Sequence, residues 1–129
     1  MSLTALDLPP EALRKYRPLE AIRRRRAKQR AEISSRRRRA IAAACKAAEL
    51  LKTKFGATEV ILFGSLASRG SFTLYSDIDL AERGIPSDLY LTAMDTVLYF
   101  DKEFKIDLVE IETCLPAIRK EIEKEGKPL

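Results

Sequence analysis

The spacing of apolar residues divides the chain into segments of two kinds. From Leu19 to Phe55 there is no proline or glycine, and Ala, Arg, Lys, Glu, Leu and Ile dominate, all compatible with helix. Ser34-Ser35 is the one candidate break. Within this stretch, Ile41, Ala44, Cys45, Ala48 and Leu51 recur at helical spacing between Ala40 and Leu51, which predicts a face packed on a core. The first half carries only Ile22 and Ile33 as sizeable apolar residues and is expected to project or to lean on a partner. Before it, residues 1–10 read as a loose terminus and Glu11 to Tyr16 as a short helix interrupted at Pro18. Gly56 is a natural stop for the long helix.

After Gly56 the period changes. Val60 to Phe63 is a continuous apolar run, which suits a strand buried on both faces, Glu59 to Phe63. Gly64-Ser65 ends it, Leu66 to Ser68 is read as a helical turn, and Gly70-Ser71 turns the chain again. Ser76 to Ala81 is read as a second strand, closed by Gly84 and Pro86. Ser87 is expected to cap a helix that runs to about Phe104 on Leu91, Met94, Val97 and Leu98. Lys105 to Ile111 is a third strand. Pro116 opens a last helix, Ala117 to Glu125, closed by Gly126. The order α-β-β-α-β-α predicts an α+β fold.

Composition narrows the chemistry. At 129 residues with 46% hydrophobic and 33% charged residues, the chain is expected to be one soluble globular domain. No apolar run is long enough for a bilayer, and the N-terminus lacks the layout of a secretory signal, so the expected location is the cytoplasm. Cys45 and Cys114 are isolated and are read as small packing residues. There is no histidine. That excludes Ser-His-Asp and Cys-His catalysis and any histidine-bound zinc. Acid–base and metal chemistry must then rest on carboxylates, which favour hard cations such as Mg²⁺ or Mn²⁺.

The stretch Thr58 to Asp79 concentrates what such chemistry needs. A buried strand running into Gly64-Ser65 offers backbone N–H groups and close approach to phosphates. Asp77 and Asp79, two apart on an expected strand, would share a face. Asp107 lies in the apolar strand KIDLVEI, where an unpaired carboxylate is costly to bury. It is the candidate third acid, able to bind a metal and to take a proton from an attacking hydroxyl. The plainer readings are an exposed edge for Asp77 and Asp79, a Lys105 partner for Asp107, and a helix cap for Ser65. Tyr75, Tyr90 and Tyr99 are read as packing residues, and Glu110 and Glu112 as strand-end charges.

Phe63-Gly64-Ser65-Leu66-Ala67, then Arg69-Gly70, then Ser76-Asp77-Ile78-Asp79-Leu80 resembles the motif of the minimal nucleotidyltransferases, small relatives of DNA polymerase beta. The resemblance covers roughly residues 40–125. It implies a small mixed β-sheet with helices packed against it, here preceded by a long basic N-terminal helix. Residues 1–39 would be the basic extension and 40–129 the nucleotidyltransferase domain. It implies nucleotide binding by Gly64, Ser65, Arg69 and Ser76, and metal binding and catalysis by Asp77, Asp79 and Asp107. Two positions depart from the commonest pattern: Ser68-Arg69 stands where one arginine is usual, and Leu66 where many members carry arginine. The implied activity is transfer of a nucleoside monophosphate, AMP from ATP, to a hydroxyl. Stand-alone members often pair with a small helical HEPN-type toxin, and this chain is expected to be the antitoxin of such a pair.

Charge leaves a further question. The net charge of +5 is distributed unevenly, with a basic first third and an acidic remainder. Arg23–Arg26 and Arg36–Arg39 each exceed a helical turn, so each run surrounds the helix. They could serve solubility, an acidic protein, a nucleic acid, or the acidic half of a second copy in a homo-oligomer. No aromatic residue is interleaved for base stacking. A non-catalytic module that neutralises a partner, or binds nucleic acid, through this helix is the alternative to the enzyme.

Overall fold

The computed structural model describes residues 18–129, and the expectations for the loose terminus and the short helix before Pro18 lie outside them. The described residues up to Glu32 belong to one compact unit and Ile33–Leu129 form another. Helix α1 (Pro18–Lys54) runs unbroken through Ser34-Ser35. Both serine hydroxyls accept hydrogen bonds from one turn ahead, Ser34 Oγ from Arg38 at 3.1 Å and Ser35 Oγ from Arg39 at 2.6 Å. In the first unit every described residue is exposed, Arg23–Arg26 included.

In the second unit α1 buries Ala40, Ala43, Ala44, Ala47, Ala48 and Leu51. The buried face is therefore rotated from the expected one, and Cys45 is exposed rather than packed. The reason is steric. A row of alanines carries little hydrophobicity per residue, but it lets the helix backbone lie close to its neighbours.

Four strands follow in the spatial order β3-β2-β1-β4: β1 (Glu59–Phe63), β2 (Ile78–Arg83), β3 (Ile106–Glu110) and β4 (Lys127–Pro128). β1 pairs antiparallel with β2 and β4, while β2 and β3 are parallel. A parallel pair needs a crossover, supplied by α2 (Ser87–Leu98). Helix α3 (Pro116–Glu125) starts on its proline. The α+β architecture with a mixed sheet is as expected.

Several strand and helix ends shift by a residue or more, and the largest differences fall at β2, α2 and β4. β2 starts at Ile78, not Ser76, because Thr73–Ser76 closes a turn in which Ser76 Oγ accepts from the Thr73 N–H at 2.9 Å. α2 ends at Leu98, not Phe104. Past it, Asp101 Oδ2 accepts from the N–H groups of Glu103 (2.8 Å) and Phe104 (3.0 Å), a side-chain turn that competes with helix. β4 was not expected, since two residues carry no periodicity. It lies at the sheet edge, where Pro128 sacrifices no needed donor, and Leu129 N–H reaches Val60 O at 2.9 Å.

The alternation of the strands sorts side chains onto two faces. Val60, Leu62, Ile78, Leu80, Ile106 and Leu108 join the alanine row of α1 with Ala93 and Val97 of α2 in the main core. Phe63, Ala81, Ile111 and Ile122 of α3 form a smaller cluster. Asp79 and Asp107 have the same strand parity as Ala81 and Val109, which places them on that second face.

Candidate active site

Asp79 and Asp107 are register partners on the parallel strands β2 and β3. Asp79 is also the register partner of Phe63, the last residue of β1. The chain then turns through a 3₁₀ segment, Gly64–Leu66, with Gly64 at φ +74°. A Cβ at Gly64 would stand 2.3 Å from Asp79 Oδ2. Only glycine tolerates both that φ and that contact, so the Gly-Ser segment and the aspartate are fitted to each other.

Burial, the largest cause, pushes the Asp79 carboxyl up to about 6. Asp107, Asp77 and Glu121 push in the same direction, and Lys105 opposes them. Asp77 and Asp107 therefore both lie within electrostatic reach of Asp79, and α3 adds a fourth acid, Glu121, that the sequence did not single out. Asp77 is exposed and precedes β2, so it does not share the strand with Asp79. Asp107 makes the ion pair foreseen for it, with Lys105 Nζ 3.7 Å from Oδ1. Both side chains are about half exposed, so the pair contributes little. Among the described residues no group of three or more His, Cys, Asp or Glu converges closely enough to hold a metal ion by itself. The in-register pair, with Asp77 nearby, suits a hard cation shared with a ligand's phosphate oxygens, the usual way Mg²⁺ is held.

The other predicted residues scatter. Ser65 is half-buried in the 3₁₀ segment. The Ser76 hydroxyl is used within its own turn, where it also shares a 3.1 Å hydrogen bond with Thr73 Oγ1. Arg69 is exposed and lines a groove of about 620 Å³ with Ser68, Ser71, Lys124 and Lys127, whose walls include none of the three aspartates. Ser68 Oγ, in the longer loop, donates to Glu125 at 2.6 Å. Of the tyrosines, Tyr90 packs as expected and donates to Leu108 O at 2.8 Å. Tyr75 and Tyr99 do not pack: they are 91% and 78% exposed.

The second arginine run does not form a free basic surface. Arg36 Nη2 donates to Ser76 O at 3.1 Å, and Arg37 Nη2 to Leu66 O at 3.3 Å. Arg39 makes two hydrogen bonds to Glu103, at 2.7 and 2.9 Å. Each guanidinium meets a different part of the unit because neighbouring helical residues point about 100° apart.

Among the described residues, no helix is long and apolar enough to cross a membrane.

The family model for polymerase beta nucleotidyltransferases matches residues 46–129. No curated protein matches the chain. Among solved structures, a toxin–antitoxin complex with AMP-PNP is similar at 20% identity and a TM-score of 0.55, over 66% of this chain and 70% of that one. A mutant MntA toxin–antitoxin complex gives 23% and 0.53, over 65% and 68%, and an MntA–HepT complex 18% and 0.51, over 67% and 68%. At these identities the likeness is one of fold. Because the family model covers most of the chain, and covers the Gly-Ser turn and all three aspartates, the chain belongs to the polymerase beta nucleotidyltransferase family.

Proposed function

We propose that the chain transfers a nucleoside monophosphate, AMP from ATP, to a hydroxyl of a HEPN-type toxin partner, as the antitoxin of a two-component pair. The observation that carries this reading is the in-register pair Asp79 and Asp107 beside the Gly64 turn. Support for the partner is the fold likeness to toxin–antitoxin complexes, one of them with AMP-PNP.

In this reading, backbone N–H groups around Gly64 and Ser65 bind the triphosphate. Asp77, Asp79 and Asp107 hold Mg²⁺ or Mn²⁺ together with phosphate oxygens. An ion held there would supply positive charge to offset that of the phosphates. Asp107 takes the proton of the acceptor hydroxyl. The acceptor oxygen bonds to the α-phosphorus, and pyrophosphate leaves. Arg69 and Ser76 complete the nucleotide site. The nucleotidyltransferase domain of residues 40–129 carries the aspartates and the Gly-Ser turn, and Arg36 and Arg37 of the extension reach back to it.

Incubation with labelled ATP, Mg²⁺ and a HEPN-type protein tests this. The expected result is label on the partner, lost with Asp79→Asn. A variant that transfers nothing yet still neutralises the partner as well as the parent would favour the binding module.

A further inference from the structure

We infer that Arg36 and Arg37 are positioning residues that separately hold the two halves of the nucleotidyltransferase site, a role that rests on the function proposed above. Arg36 lies at a junction. Its guanidinium donates to the carbonyl of Ser76, immediately before Asp77. It stands 4.5 Å from the centre of the Phe104 ring and 5.9 Å from that of Phe72, and 3.7 Å from Glu103 Oε2. Phe72 and Ser76 flank the turn into Asp77 and Asp79. Glu103 and Phe104 flank the turn into Asp107. Those two turns meet again where Ile78 N–H donates to Lys105 O at 3.0 Å. One planar cation thus braces both strand starts that carry the carboxylates.

Arg37 reaches the other half. It donates to the carbonyl of Leu66, the end of the 3₁₀ segment that begins at Gly64. Leu66 and Ala67 anchor that segment in the main core; the Ala67 N–H bond to Gly64 O is a local one, and the Arg37 bond ties the segment's backbone to α1. Both arginines are half-buried, whereas Arg38 and Arg39 are exposed. The fork of Arg36 matters because it stacks on an aromatic face and donates at the same time. Lysine, a point charge on a flexible stem, cannot do both.

The two residues should therefore fail differently. Arg36→Lys displaces the carboxylates: kcat falls roughly 10- to 100-fold, the scale expected for a misplacement of about 1 Å, and half-maximal activity needs more Mg²⁺. Arg37→Lys loosens the Gly-Ser turn and raises KM for the nucleotide while kcat changes little. Arg38→Ala, whose partner is on its own helix, leaves both constants unchanged.

Amide hydrogen exchange tests the bracing without any activity. Arg36→Lys should speed exchange at Ser76 and Ile78, and Arg37→Lys at Ala67, each leaving the other segment at its parent rate. Equal acceleration of both segments by both variants, or acceleration by neither, overturns the inference. A parent protein that transfers no nucleotide refutes the proposed function, and the exchange pattern still decides the bracing.

Discussion

The two faces of the sheet divide the work of this protein between them. One face, under α1 and α2, is hydrocarbon almost throughout, with Leu51, Ile78, Leu80, Ile106 and Val97 essentially inaccessible. The other, under α3, holds a small cluster around Phe63, Ala81, Ile111 and Ile122 and places Asp79 and Asp107 side by side. Burial on the first face is favourable. On the second, Asp79 is pushed up first by its burial and then by the neighbouring carboxylates of Asp107, Asp77 and Glu121. A partly buried carboxylate with other carboxylates around it is a candidate functional group. The contrast teaches where to look for stability and where to look for chemistry.

Substitutions on the two faces should separate those properties. The largest effect is expected from Asp107→Asn, with transfer down roughly 10²–10⁴-fold, the usual size of a lost general base. Thermal stability should be equal or higher, because a repulsion on Asp79 is removed. A loss of both activity and stability would show that the second face is structural after all. Leu51→Ala is the converse on the main core. It should cost about 2–5 kcal/mol, measured by urea unfolding, with kcat unchanged wherever the protein remains folded.

Glu82 sharpens the comparison because it is the exception on the hydrocarbon side. Its side chain is fully buried. One oxygen accepts from Ile85 N–H at 3.1 Å, and the other is buried with no hydrogen-bond partner among the described residues. Burial, first, and Glu112 and Glu110 push its carboxyl from 4.5 up to about 7, against the Ile85 bond. The folded state therefore holds this proton between about pH 4.5 and 7, where the unfolded state has released it. Stability from Glu82 is complete below pH 4.5, falls as pH rises, and is lost above 7, by up to roughly 3 kcal/mol. Unfolding followed across that range should show the slope in the parent and lose it in Glu82→Gln.

The smallest effect belongs to Lys105→Ala. Removing this half-exposed partner should change stability by less than about 1 kcal/mol. An NMR titration of Asp79 should move above about 6, because the cation that opposes its rise is gone. A downward shift would contradict the charge arrangement drawn for this face.

Elements with strong periodicity were legible in advance. Glu59–Phe63 matches its strand residue for residue, and α3 ends at Glu125, one residue before Gly126. The turn at Gly64 was legible for a local reason, the end of the apolar run of β1, whereas its close approach to Asp79 was not. Ends set by side chains elsewhere were not. Asp101 ends helix α2, and Thr73 with Ser76 delays β2, so Asp77 lies just ahead of the strand instead of beside Asp79 on it. Glu121 gave no signal, since a helical glutamate near a C-terminus is ordinary until α3 is laid on the sheet.

The two arginine runs mark the limit most sharply. Arg23–Arg26 and Arg36–Arg39 are identical in sequence, yet the first is exposed and the second is bonded to Leu66, Ser76 and Glu103. By itself, the sequence determined the helix and strand periods, the acids available without histidine, and the Gly-Ser turn that ends β1. Those depend on each residue and its near neighbours. Only the tertiary structure decided which acids meet across β2 and β3, and which arginines become ties between loops. Those depend on contacts between residues about 30 to 60 apart in the chain, and nothing local encodes such pairings.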